Sequence, residues 1–400
     1  MRASRCWALL LAWGAASLAV AQEPVTLGSA VTRLEAGLAA DPAAAAAGPE
    51  ATARYAAGMV GAALGIWEQS RHLDQPYFSR SQGIDGRAGL TNPDNIYGTA
   101  LIVEGGAYRI HGRRGTHAML TFQLLDAYPI VALGRNLLAI DLDAAGVRPG
   151  EAFEWWLGGP EREGRWFALP RGVRALLVRQ SFEDWARETP TTVAIERLDA
   201  GAASVDASLP GASAADYVAA ADRVWNGNYL PLIRRLPVNV LPPPRASDTS
   251  AGGLAGQQSV MARYRLAPDE VLLITVKASR ARYQGIQLGD PWFVTPNWID
   301  HQCSLTRAQA AVDADGRIRF VISSGDPGVA NWLDPAGFSE GYVFLRWQGL
   351  PAPLAADEEP SAQLLKLADL PTVLPPESRR VDIAGRAAQL AARQHAPTRL

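Results

Sequence analysis

The sequence predicts a mainly β protein: two antiparallel jelly-roll or β-sandwich-like units, with helical additions at the N-terminus, in the middle and at the C-terminus. Three observations carry this. From about Asn95 onward, short runs rich in Val, Ile, Leu, Tyr and Trp recur between Gly, Pro and Asp, the punctuation of strands and turns. Apolar spacing of three and four, the helical period, is confined to stretches near 25–70, 214–225 and the last residues. Three consecutive prolines, Pro242 to Pro244, with a Ser- and Gly-rich tail, separate two β-rich halves.

The chain opens with Arg2 and Arg5, then an apolar stretch from Cys6 to about Val20. This is shorter than the roughly 18 residues expected of a membrane span. It ends in Ala19-Val20-Ala21, a small-x-small pattern suited to signal peptidase. Residues 1–21 therefore read as a cleavable secretory signal peptide, and the protein that begins at Gln22 as periplasmic or secreted. Cys6 lies too early to carry a lipid anchor, and no later stretch is long and apolar enough to cross a membrane.

Residues 22–75 read as a helical segment, with 41–49 (DPAAAAAGP) as a break between two helical pieces. A first β-rich domain, 76–235, begins with strand, Gly-Gly turn, strand, Gly-rich turn, strand. His111 and His117 then fall on neighbouring strands of a hairpin. The domain closes with a helical interlude, AADYVAAADRVW. Residues 236–256 read as a linker. The second β-rich domain, 257–350, has its clearest strands in MARYRL, EVLLITVKA, RYQGIQLG, RIRFVISS and YVFLRWQ. AVDADGRIRFVI reads as a hairpin turning through Asp315-Gly316. The tail, 351–400, ends in a short helix, SRRVDIAGRAAQLAARQ.

Composition is that of an ordinary globular chain, 48% hydrophobic and 20% charged. The net charge is −2, and losing the signal removes Arg2 and Arg5 but no acid, which brings it to −4. That argues against nucleic acid as a partner, since phosphate neutralisation needs clustered positive charge. Of the 2 cysteines one falls in the signal, so Cys303 has no second cysteine for an intrachain disulfide and core burial must hold the fold.

The stretch from about 260 to 350 resembles domain of unknown function 1214. Its most specific piece is DPGVANWLDPAGFSEGYVFLRW, from Asp326 to Trp347, with an NWLD core and a following Arg-Trp. The upstream runs NPDNIYGTALIVEGGAYRIHGRRG and VRQSFEDWARETPTTVAIERL resemble regions of full-length members. The resemblance implies a β-sandwich or jelly roll and carries no established reaction. The chain departs from the pattern at Phe338, where members often have His, and at Thr306, where they often have Asn.

Candidate chemistry is sparse. If Asp300 to Cys303 were a strand, His301 and Cys303 would share a face, the basis of a Cys/His nucleophile. Asp326 and Asp334 flank Asn331-Trp332 and could divide acid and base duties. The alternative is that Asp326 makes a turn and Asp334 caps a loop. No metal and no cofactor are predicted. There is no HExxH or paired CxxC, and Asp313-Ala314-Asp315-Gly316 lacks the remaining oxygen ligands of a calcium loop. Trp292, Trp298 and Trp332 lie in Pro/Gly/Asp-rich settings and are the better candidates for a pocket wall. Arg179 and Arg346 each interrupt an apolar strand, with Asp184 and Asp334 as natural partners, and Trp185 adjoins the first pair.

The leading expectation is a periplasmic accessory protein that binds a small organic or carbohydrate ligand. Trp292, Trp298, Asn331 and Trp332 would line its pocket, with Asp334 and Arg346 fixing a polar group and Arg179, Asp184 and Trp185 forming a second site. The runner-up is a hydrolase- or lyase-like enzyme on a similar substrate, using Asp326, Asp334, or His301 with Asp300. A third reading is a structural or interaction module of the envelope.

Overall fold

The computed structural model describes residues 25–79, 89–199 and 212–395. The expected signal peptide lies outside the described residues. Thr26 caps the first helix by accepting from Ser29 N at 3.1 Å. Helix α1 (Leu27–Ala39) buries Ala30, Leu34 and Leu38 along one stripe. Asp41 caps α2 (Pro42–Gln69), where Pro42 occupies a first-turn position that needs no amide donor. The expected break at 41–49 is present only at its ends: Asp41 starts the helix and Gly48, at φ +79°, kinks it before Pro49. Between them the alanines stay helical, as the residue of highest helix propensity should.

Eight strands follow: β1 (Asn95–Leu101), β2 (Ala107–Arg113), β3 (Met119–Leu125), β4 (Asn136–Asp141), β5 (Ala152–Gly158), β6 (Trp166–Phe167), β7 (Ala175–Ser181) and β8 (Thr192–Arg197). They make two sheets, β1-β7-β3-β4 and β6-β5-β2-β8, packed around Phe122, Trp155 and Leu176. This corrects the expected His111/His117 hairpin. β2 and β3 belong to different sheets, because the Gly-rich turn carries the chain across the core; alternation of side chains fixes a strand's faces and not its partner. His111 meets Glu196 at 3.1 Å on the surface, whereas His117 is buried against Thr191 Oγ1 at 2.8 Å.

A capping box of Ser213 and Asp216 starts α3 (Ala214–Asp222). It runs into a π-helical turn, Arg223–Tyr229, and then α4 (Leu230–Ile233). Arg234 clamps Asp41 through two contacts of 2.6 and 2.9 Å, tying this helix group together. The stretch read as a linker lies along the next sandwich, where β9 (Arg245–Ala246) pairs with β10 (Gln257–Arg265).

The second sandwich continues with β11 (Glu270–Lys277), β12 (Tyr283–Gly289), β13 (Ser304–Thr306), β14 (Arg317–Ser323), β15 (Trp332–Leu333), β16 (Glu340–Gln348) and β17 (Ser361–Lys366). Its sheets are β13-β12-β16-β10-β9 and β15-β14-β11-β17. The expected turn at Asp315-Gly316 is present, with Gly316 at φ +76° and Gly316 N donating to Asp313 O at 2.9 Å. Its first strand is absent. The Asn331 amide takes both backbone groups of Ala311, at 2.7 and 2.8 Å, where a partner strand would bond. After α5 (Leu370–Val373), α6 (Ile383–His395) closes the described chain.

The fold is thus mainly β, two sandwich-like units whose strands pair antiparallel except for the short parallel pairs β5-β6 and β14-β15, with helices at both ends and in the middle. The outer face of β1-β7-β3-β4 turns toward the outer face of the five-stranded sheet. Ser181 Oγ donates to Gln348 Oε1 at 3.0 Å across this junction, and Arg282 reaches Asp141 and Asp143. Helices α1 to α4 share one apolar cluster with Leu101 of the first sandwich and Trp292 and Tyr342 of the second. No helix among the described residues is long and apolar enough to cross a membrane.

Candidate functional site

The chain between β12 and β13 builds a loop through aspartate chemistry. Asp290 Oδ1 accepts from Trp292 N and Val294 N, both at 2.9 Å, and holds Phe293 in the left-handed region at φ +59°. Trp292 is thereby driven inward. It is fully buried and stacked on Tyr55 of α2, centroids 5.0 Å apart and planes 12° apart. The Tyr55 hydroxyl donates to Asn226 in the π-helical turn at 2.8 Å. Burial, reinforced by Asp290 and Asp222, raises the Tyr55 pKa far above the usual phenol value, so the ring stays neutral.

Between α2 and this loop lies a cleft of about 660 Å³. Arg54, Tyr55, Asp290, Asn297, His301 and Phe338 are among the residues that line it. His301 is fixed on one side only. Its Nδ1 lies 2.7 Å from Asp334 Oδ2, and Nε2 has no hydrogen bond among the described residues. Asp334 is fixed in turn: its Oδ1 accepts from Ala336 N at 2.8 Å, which holds Ala336 at φ +54°. A carboxylate on one imidazole nitrogen sets the ring plane and leaves the other to exchange a proton or hydrogen bond at the cleft.

The residues singled out in the sequence separate. Asp334 and His301 come together. Asp300 faces solvent, where it accepts from Asn297 Nδ2 and Gln394 Nε2. Cys303 is buried with Sγ 3.7 Å from Pro296 O, and residues 300–303 are not a strand. The strand that would put Cys303 and His301 on one face therefore does not form; the loop geometry gives His301 to Asp334. Trp292 and Trp298 are core side chains, because the loops fold back under α2 and α6. Trp332 lies elsewhere, with Nε1 donating to Ser323 O at 3.1 Å and Arg386 over its ring. Asp326 pairs with Arg386 at 2.8 Å and makes the turn to Gly328 N. Asn331, as above, holds Ala311. The pocket expected from Trp292, Trp298, Asn331, Trp332, Asp334 and Arg346 is not assembled.

The second group separates too. Asp184 accepts from Ala186 N and lies 3.6 Å from Arg187. Trp185 is buried and donates to Asp94 Oδ1 at 3.1 Å. Arg179 and Arg346 pair with neither expected carboxylate and instead face the layer between the sandwiches. Tyr55, Asp290 and Asn297 have little local signature in the sequence. The one local signal was Asp290-Pro291, a turn starter directly after a strand. Among the described residues no three His, Cys, Asp or Glu side chains gather as a metal site would need.

No family model matches the chain, and no curated relative matches it. Among solved structures it is similar to an uncharacterised protein from Burkholderia cenocepacia. The two are 27% identical with a TM-score of 0.73, over 86% of this chain and 96% of that one. The fold is shared with a solved protein. A protein from Vibrio parahaemolyticus aligns over 84% of this chain and 100% of that one, at 10% identity and a TM-score of 0.47.

Proposed function

We propose that the protein binds a small organic or carbohydrate ligand in the cleft between α2 and the loop that follows β12. The His301–Asp334 pair at the cleft wall is the observation that carries this reading. The cleft volume falls within the range of small-molecule sites, about 300–1,000 Å³. His301 Nε2 and Asn297 would hold polar groups of the ligand, Arg54 would add charge, and Phe338 and the Tyr55 ring supply apolar wall. Export through residues 1–21 would put the site in the periplasm or outside the cell, and the likeness of 260–350 to domain of unknown function 1214 would make it a site of that group.

A second reading rests on the same pair. An imidazole oriented by a carboxylate is the arrangement of a general base, so the cleft would turn its ligand over. Thermal melts of the protein from Gln22 onward against a panel of neutral sugars, polyols and small hydroxy acids test the first reading. At least one compound is expected to raise Tm in the wild type and not in His301→Ala, while His111→Ala, on the surface of the other sandwich, keeps the response. A silent panel, or a response undiminished in His301→Ala, contradicts it. Turnover of the active compound, with a pH–rate profile lost in His301→Ala, selects the enzyme.

A further inference from the structure

Arg179 on β7 and Arg346 on β16 approach each other across the layer between the two sandwiches. On its own sheet Arg179 lies in register with Tyr97 and Thr121, and Arg346 lies in register with Ser259 and Gly285. Their neighbours Val178, Leu345 and Trp347 point into the two cores, so both arginines occupy the outer faces that meet. Two residues further along the same two strands, Ser181 Oγ donates to Gln348 Oε1 at 3.0 Å, which brings this part of the two faces together, and burial first, with Arg179 among the charges around it, lowers the pKa of Arg346.

Neither guanidinium has a carboxylate partner among the described residues. Arg346 is 8% exposed and makes one hydrogen bond there, to Gln287 Oε1. Its guanidinium carbon lies 3.7 Å from the centre of the Phe344 ring. Arg179 sits 5.3 Å from the Tyr97 ring centre, and its Nε is buried without an acceptor. The other buried arginines are treated differently. Arg114 holds Asp143, Arg386 holds Asp326, and Arg393 gives its donors to Trp298 O, Ser304 O and Ser304 Oγ. The carboxyl that does act on Arg346, Asp94, is engaged by Tyr283 and Trp185.

A buried cation without a counter-charge is strongly disfavoured, and a second cation facing it makes it more so. We propose that this layer binds a small organic anion whose carboxylate bridges Arg179 and Arg346. The planar fork of arginine suits two-point recognition of a carboxylate, and the aromatic faces of Tyr97 and Phe344 hold each fork in place. The partly buried side chains of Leu177, Met261 and Phe344, on or beside the same rows, give the anion's body an apolar bed.

The test is thermal unfolding at fixed ionic strength with sodium benzoate, inorganic phosphate or chloride. Benzoate is expected to raise Tm saturably above the chloride baseline. Arg346→Met and Arg179→Met should each weaken its apparent affinity about tenfold or more. The Tm of Arg346→Met without benzoate should equal or exceed that of the wild type, because a buried charge with no carboxylate partner has gone. Arg179 is part-exposed, so Arg179→Met carries the test alone if Arg346→Met does not fold. His301→Ala, in the separate cleft, should keep the benzoate response. A benzoate effect no larger than chloride's, undiminished in both arginine variants, or lost in His301→Ala overturns the site. A phosphate response without a benzoate response overturns the organic class.

Discussion

Asp94 shows how one buried side chain sets a pH dependence. It lies 1% exposed just before β1, accepting from Tyr283 Oη at 2.7 Å and Trp185 Nε1 at 3.1 Å. Burial pushes its pKa up to about 6, against those hydrogen bonds and the charges of Arg393 and Arg346. In the unfolded chain an aspartate titrates near its ordinary value, about 3.9. Between these values the folded state keeps a proton that the unfolded state has released, so this group's contribution to stability falls as pH rises from about 4 to 6. Glu183, pushed up to about 7 by burial although Arg307 lies 3.2 Å away, extends the fall. His117 has the opposite sign. Burial and Arg114 lower it to about 3, so its contribution is lost as pH drops below about 6.5. The informative quantity is therefore a difference in which His117 cancels. Urea unfolding of Asp94→Asn between about pH 4 and 7 should lack roughly 2–3 kcal/mol of the fall seen in the wild type. Parallel curves would show that Asp94 does not carry it.

Helix α6 carries an energetic role that its sequence concealed. Arg386 and Arg393 are seven residues apart, two helical turns, and so share a face. Arg386 binds Asp326 and Val329 O and covers Trp332, while Arg393 binds the 298–304 loop and covers Trp185. Arg393→Ala removes donors from two buried carbonyls and a buried hydroxyl. It should cost about 2–4 kcal/mol in urea unfolding, without changing the slope of the transition. A loss under about 0.5 kcal/mol, the scale of ordinary surface changes, would contradict the clamp. The helix itself was legible from its 3.6-residue period, as were α1, α3 and most strands from their alternation. Docking partners were not. Periodicity tells which face of an element is apolar, but Trp298 and Asp326 meet α6 only through chain folded over sixty or more residues. For the same reason the pattern alone puts β2 and β3 in one hairpin and Trp292 in a pocket wall: the Pro- and Asp-rich flanks mark a turn correctly without saying which way it folds.

At the scale of the molecule, two sandwiches meet through a polar layer and are bridged at one end by helices. The candidate cleft lies where α2 crosses the loop leaving β12. The sequence identified the class of fold, and half of the cleft's central pair in each of two different hypotheses, with His301 beside Asp300 and Asp334 beside Asp326. What brought them together was the return of the 331–336 segment onto the 297–303 loop, where Asp334 N donates to Gln302 O at 2.9 Å. Such a contact has no local signature. A ligand seated as proposed would occupy the space under α2, and Ala57 addresses that space without touching the pair. Ala57 lines the cleft from an exposed position on the helix, so an indole there fills the space and leaves the core intact. The decisive measurement is the melting temperature of Ala57→Trp across the same sugar, polyol and hydroxy-acid panel. The expected result is an unliganded Tm close to that of the wild type and no rise with the compound that stabilises the wild type; an equal rise in both proteins would rule the cleft out as the ligand site.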